Sequence, residues 1–130
     1  MPLIYIIKTT ITGATRFVGK NLHNYLKTFQ EVNSMSICYI PNQQIKIETD
    51  VLIHLSAIAH DLKKVSNPTD YYEANFELTK QLFDAFIKSE ATVFVFMSSV
   101  KAVSDELKRV LNKDAVHNPQ IHYVIAKLLV

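Results

Sequence analysis

Apolar residues in this chain fall into short continuous runs separated by stripes at helical spacing. Leu3-Ile4-Tyr5-Ile6-Ile7 leads into Thr9-Thr10-Ile11. That density of β-branched residues predicts a buried strand over Leu3 to Thr12. Val18, Leu22, Tyr25, Leu26 and Phe29 then recur on one helical face, which predicts a helix from Phe17 to Phe29. A short strand is expected over Met35 to Ile40, ending at Pro41, with polar loop from Asn42 to Glu48. Val51 to Leu55 is a continuous apolar run, as in a strand covered on both faces. Asn67-Pro68 offers a helix cap followed by proline at the first helical position. Leu78, Leu82, Phe83 and Phe86 continue that helix, and Thr92 to Met97 reads as another buried strand. Phe83, Phe86, Phe94 and Phe96 are expected in the core. Asp105 to Asn118 is polar, Asn118-Pro119 marks a loop, and a last helix should begin close to Tyr123.

Strands alternating with helices predict an α/β fold with a doubly wound parallel sheet, Rossmann-like in form. Right-handed crossovers bring the strand C-termini to one edge, where ligands bind in such sheets. With no repeat, low-complexity tract or linker, residues 1–130 read as one domain.

The chemistry sits at the two ends of the chain. Thr12-Gly13-Ala14-Thr15-Arg16-Phe17-Val18-Gly19 lies between the first strand and the first helix. A glycine turn in that context suits a dinucleotide, because the N–H groups and dipole of a helix start favour a pyrophosphate. At the other end, Tyr123 and Lys127 are four residues apart and share a helix face. A tyrosine is a poor base near neutral pH, with an ordinary pKa of about 10, and a neighbouring cation favours its phenolate.

Composition narrows the class. A chain of 130 residues can bury roughly two-thirds of its unfolded surface. A net charge of +2 is too mild to argue for nucleic acid. Cys38 is the single cysteine, so no internal disulfide can form. No apolar run approaches the roughly 20 residues of a membrane span, and the start lacks a signal-peptide pattern. The expectation is a cytoplasmic protein with no membrane or nucleic-acid partner. Gly13 to Lys20 differs from the phosphate loop of nucleotide hydrolases, since the glycine gap is one residue too long and Asn21 replaces the needed hydroxyl. His54, His60 and Asp61 lack the register of a metal site, so His54 reads as structural and no metal is expected. His117 and His122 are loop residues with no visible partner.

Thr12 to Gly19, His54-Leu55-Ser56-Ala57, Met97-Ser98-Ser99 and Tyr123 to Lys127 occur in the order found in one family. The chain resembles the cofactor half of the NAD-dependent epimerase/dehydratase family, the extended short-chain dehydrogenases/reductases. Ser98-Ser99-Val100-Lys101 resembles its nucleotide-sugar branch. The resemblance implies NAD as cofactor, with NADP open, and a nucleotide sugar as substrate. It places Gly13, Phe17, Val18 and Gly19 at the pyrophosphate or in packing the turn, and Leu55, Ser56 and Ala57 beside the adenine-side ribose. Asn75 matches an asparagine that helps hold the active-site end of the cofactor, against the alternative of an ordinary exposed helix polar residue. Ser99, with Ser98 as its competitor, matches the hydroxyl that binds the substrate oxygen. Tyr123 matches the acid/base, and Lys127 the ribose ligand that lowers the tyrosine pKa. A 4-keto sugar is the implied intermediate, and a homodimer the usual assembly.

The chain departs from the family pattern at several points. Arg16 replaces the middle glycine, where a long side chain would crowd the diphosphate; Arg16→Gly would then tighten NAD(H) binding. In the neighbouring, shorter branch an arginine here meets an NADP 2′-phosphate, so both roles stand. No acidic residue ends the strand after the fingerprint. Glu48 and Asp50 are later candidates, although Asp50 fits better as a cap of the strand at Val51. The span from Gly19 to His54 is short by one strand–helix unit. Val124-Ile125 stands where the family has glycine and a small residue. The family's substrate domain would follow this segment, so the expected product is C-terminally incomplete. The alternative function is a truncated or degenerate, non-catalytic cofactor-binding remnant.

Overall fold

The computed structural model describes residues 4–58 and 67–98. Four parallel strands form one sheet in the order β2-β1-β3-β4: β1 (Lys8–Thr12), β2 (Glu31–Met35), β3 (Val51–His54) and β4 (Val93–Phe96). Helix α1 (Phe17–Leu26) joins β1 to β2. One continuous helical stretch joins β3 to β4: α2 (Pro68–Tyr72), a π-helical turn over Glu73–Glu77, and α3 (Leu78–Ile87). The expected doubly wound parallel sheet is present.

Two expected strands change their bounds. Ile4 to Ile7 lie exposed and outside β1. The neighbouring strands explain this: β2 starts opposite Lys8 and β3 opposite Thr9, so no ladder reaches further back. The second strand is Glu31–Met35, not Met35 to Ile40. Its register against β1, Lys8 opposite Glu31 through Thr12 opposite Met35, outweighs its poor strand composition. Helix α1 also ends sooner than Phe29, where the Thr28 hydroxyl donates to the Tyr25 carbonyl at 2.8 Å. Val18, Tyr25 and Phe29 on its apolar stripe are exposed.

No helix lies between β2 and β3, consistent with the missing strand–helix unit. An extended crossover covers the sheet instead. Ile37, Tyr39, Ile45 and Ile47 pack on Leu52, Leu78 and Leu82. The crossover turns at Ile40-Pro41-Asn42-Gln43, where the Gln43 N–H donates to the Ile40 carbonyl at 3.3 Å. Asn42 has φ 58°, which suits asparagine after proline in such a turn. Gln81 of α3 fixes this loop, donating to the Ile40 carbonyl at 2.9 Å and accepting from Gln43 at 2.6 Å.

The aromatic residues expected in the core lie at its margin, where Phe94 packs against it and Phe96 stacks on His54. Phe83 is exposed, and Phe86, Phe94 and Phe96 are half-buried. Phe83, Phe86 and Phe94 meet with ring centroids 5.3–6.0 Å apart. The fully buried positions are smaller or polar: Ile11, Leu52, Leu82, His54, Asn75, Thr9, Thr12 and Thr79. Among the described residues, no helix is long and apolar enough to cross a membrane.

Candidate functional site

The chain has two glycines in all, and both stand in the turn between β1 and α1. Gly13 has φ +72°, a left-handed conformation that side chains disfavour. A Cβ on it would also lie 2.9 Å from the Ser56 nitrogen. Gly19 is buried in the first turn of α1, and a Cβ there would collide with the Gly13 carbonyl oxygen. The two glycines therefore let the helix start sit directly on the strand end. Arg16 is the N-cap residue; its N–H donates to the Gly13 carbonyl at 3.2 Å, and its carbonyl accepts from Lys20 at 2.7 Å. The N–H groups of Phe17, Val18 and Gly19 come first in the helix and have no intrahelical acceptor.

The turn just before these groups opens onto a cleft of about 480 Å³ at the C-terminal ends of the strands. Its walls come from Gly13 to Arg16, Ser34 to Tyr39, Ser56 to Ile58, and Asp70, Glu73, Ala74 and Leu78. Of the sequence-derived site residues, Gly13, Arg16, Ser56 and Ala57 line it. The other five in the described residues do not line it. Phe17 and Val18 begin α1 with exposed side chains and are not lining residues. Gly19 docks the helix. Leu55 backs Gly13 with its carbonyl. Ser98 is exposed just beyond β4. Ser99, Tyr123 and Lys127 lie outside the described residues.

Asn75 is the fifth, and it is neither exposed nor a lining residue. It is fully buried in the π-helical turn. Its Oδ1 accepts from the Ile58 N–H at 2.8 Å, and its Nδ2 donates to the Ile58 carbonyl at 3.0 Å. Both ends of the amide are thus spent on one backbone unit of the cleft rim. The π turn shifts the helix phase locally, as π-bulges often do near functional sites.

A buried polar chain ties this rim to the glycine turn. The Thr79 hydroxyl donates to the Asn75 carbonyl at 3.0 Å and meets His54 Nε2 at 2.8 Å. On the other side of the ring, His54 Nδ1 meets the Thr12 hydroxyl at 2.7 Å. That hydroxyl also accepts from the Leu55 and Ser56 N–H groups at 3.1 and 3.2 Å. Each hydroxyl has one proton to give. Thr79 gives its proton to Asn75, so Nε2 carries the imidazole proton; Thr12 gives its own to Nδ1. With this tautomer both ring nitrogens are matched to the two threonines, in the structural role that the place of His54 at the end of a buried run suggests.

The acidic candidates from the sequence lie at the opposite edge of the sheet. The Asp50 carboxylate accepts from the Tyr5 hydroxyl and from the Lys8 N–H at 2.8 Å. Those two bonds, the tyrosine's first, hold its pKa below the ordinary carboxylate value. Glu48 pairs with Lys46 at 2.6 Å on the surface, and the pairing lowers the Glu48 pKa and raises that of Lys46. The Ser34–Tyr39 wall is hidden in the sequence, whose apolar pattern puts the second strand over Met35 to Ile40. Asp70 and Glu73 are equally hidden. No motif marks them, and only the α2 cap at Asn67, whose side chain accepts from Thr69 at 3.1 Å, hints at their orientation.

Comparisons with known proteins agree with this geometry. The model of the NAD dependent epimerase/dehydratase family matches residues 41–130. That match begins after the glycine turn, so the turn is an independent observation. No curated protein matches the sequence. RMD from Pseudomonas aeruginosa complexed with NADPH is 20% identical, with a TM-score of 0.71 over 95% of this chain and 46% of that one. MoeE5 in complex with UDP-glucose and NAD is 18% identical, with a TM-score of 0.79 over 94% of this chain and 46% of that one. UDP-glucuronic acid 4-epimerase from Bacillus cereus in complex with NAD is 21% identical, with a TM-score of 0.73 over 95% of this chain and 50% of that one. The chain thus spans about half the length of these structures.

Proposed function

We propose, for a chain that belongs to the NAD dependent epimerase/dehydratase family, that the cleft at the strand ends holds the NAD or NADP of a nucleotide-sugar epimerase or dehydratase. The observation that carries this reading is the glycine cradle. Gly19 seats the α1 start so close to the Gly13 carbonyl that no side chain fits between them, and the junction faces a 480 Å³ cleft. Free helix-start N–H groups there suit a diphosphate. Asn75 holds the Ser56–Ile58 rim by the Ile58 backbone, so it acts as a positioning residue.

The catalytic roles rest on resemblance. Tyr123 takes a proton from a sugar hydroxyl and later returns it. Lys127 favours the phenolate of that tyrosine. Ser99 holds the substrate oxygen through a hydrogen bond. The nicotinamide, when bound, supplies hydride acceptance and return. The nucleotide-sugar class draws support from Ser98-Ser99-Val100-Lys101 and from structural neighbours solved with UDP-glucose or described as UDP-sugar epimerases. Cofactor binding by the full chain, followed by NADH or NADPH fluorescence, tests the first part. A saturable signal that Gly19→Val abolishes, in a variant still folded by circular dichroism, is the expected outcome. Turnover is tested by absorbance of the reduced cofactor with a panel of UDP-sugars, where Tyr123→Phe should remove activity. Saturable binding without any turnover would favour the non-catalytic alternative.

A further inference from the structure

Granting a dinucleotide in this cleft, as proposed above, we infer that Thr79 of α3 is a positioning residue. Acting through His54 and Thr12, its hydroxyl holds Leu55 and Ser56 against the glycine turn. Thr79 is 2% exposed, does not line the cleft and belongs to no motif of the sequence.

The segment it controls is Leu55 to Ile58, which follows β3 and brings Ser56, Ala57 and Ile58 to the cleft. Gly13 packs directly on this segment. A Cβ there would lie 2.9 Å from the Ser56 nitrogen and 3.0 Å from the Leu55 carbonyl carbon. The distance between segment and turn therefore sets the shape of the cradle. At its start the segment is held by two bonds, from the Leu55 and Ser56 N–H groups to the Thr12 hydroxyl. At its end the Asn75 amide clamps the Ile58 backbone. Thr79 reaches the holder of each end. It meets His54, whose ring meets Thr12, and it donates to the Asn75 carbonyl.

The order of protons along this chain follows from its two ends. A carbonyl only accepts, so the Thr79 proton goes to Asn75, and the Thr79 oxygen accepts from Nε2–H. At the other end, both lone pairs of the Thr12 oxygen face N–H donors, so its proton goes to Nδ1. A neutral imidazole with its proton on Nε2 meets both demands, each read from a different side of the ring. The opposite tautomer would aim a third donor at the Thr12 oxygen and set the Nε2 lone pair against the Thr79 oxygen. Thr79 thus keeps both Thr12 lone pairs open to the cleft segment, along a path from α3 through β3 to β1. Serine can supply the same hydroxyl. Valine has the shape of threonine but supplies none.

The test is NMR of the full chain, beside titrations with NADH and NADPH. In the parent protein the ring nitrogen shifts of His54 should report the Nε2–H tautomer. In T79V the Ser56 N–H should exchange roughly 3- to 10-fold faster relative to Leu52 within β3, the factor that one lost hydrogen bond is worth. Leu55 is the weaker reporter, because its N–H also reaches the Thr12 carbonyl at 3.3 Å. Whichever cofactor the parent binds should bind T79V more weakly by a similar factor. T79S should restore both the Ser56 protection and the affinity, even where it is the less stable protein. A packing role alone predicts the reverse order, because valine fills the site and serine leaves a gap. The Nδ1–H tautomer in the parent would overturn the inference. So would Ser56 protection or cofactor affinity in T79V equal to the parent's. A parent that binds neither cofactor would overturn the proposed function instead, and the tautomer and Ser56 exchange would still decide the role of Thr79.

Discussion

His54 shows how closely one residue can be constrained. It is almost wholly buried, and threonine hydroxyls contact both of its ring nitrogens. Replacement by phenylalanine keeps the ring but removes one hydrogen bond from each hydroxyl; Thr12 still accepts from Leu55 and Ser56, and Thr79 still donates to Asn75. Each lost bond is worth about 0.5–1.5 kcal/mol. His54→Phe should therefore lower unfolding free energy by about 1–3 kcal/mol, read by urea denaturation. Thr9 presents the converse case. Its hydroxyl is buried and has no hydrogen-bond partner among the described residues. Valine has the same shape, suits a strand and removes the orphan. Thr9→Val should raise stability by ~1 kcal/mol in the same assay. A loss of stability would mean that the hydroxyl has a partner, such as a buried water.

At the scale of elements, α1 is held to the sheet by its first turn. The exposed rings of Tyr25, near its end, and of Phe29, just beyond it, meet edge-on at 5.3 Å, but they add little burial. The Gly19 contact is closer than any side chain permits. Gly19→Ala must push the helix start off Gly13, since the clashing atoms are backbone. A loss of ~2–4 kcal/mol is expected, in line with overpacked sites. Any folded fraction should bind NADPH at least ~10-fold more weakly, because the free N–H groups move with the helix. Isothermal titration separates the two effects.

The elements also show why parts of the fold are legible in advance. The glycine turn, β3 and the Asn67-Pro68 cap carry local signals: backbone sterics, a continuous apolar run and a side-chain acceptor. Strand β2 carries none, because Glu-Val-Asn-Ser-Met has poor strand propensity and is specified by pairing with β1. The stronger pattern, Ile37 and Tyr39, belongs to the crossover that replaces a helix over the core. That exchange hides the Ser34–Tyr39 wall. Asn75 is ambiguous for a related reason: the π turn that buries it has no signature in a helical wheel.

Across the whole molecule, the sheet separates two polar ends. The cleft occupies the C-terminal ends of the strands, and the Tyr5–Asp50–Lys8 cluster the N-terminal ends. A strand of four residues spans roughly 13 Å, and effects at that separation usually add. The Asp50 carboxylate has its pKa lowered by the Tyr5 hydroxyl first and the Lys8 N–H second. A lowered folded-state pKa stabilises the protein above the ordinary carboxylate value of about 4, and this contribution fades as pH falls through the folded value. Tyr5 has the opposite shift, raised chiefly by its bond to Asp50, so its contribution is full below about pH 10 and lost in stronger base. Tyr5 is exposed and Asp50 only half-buried, which keeps the effect small. Asp50→Asn should thus be less stable than the parent between about pH 5 and 9, with the two denaturation curves converging toward pH 3. NADPH affinity should be the same in both proteins across the neutral range, since nothing at the cleft has changed. A fall in affinity in Asp50→Asn would show that the N-terminal edge of the sheet is coupled to the glycine cradle.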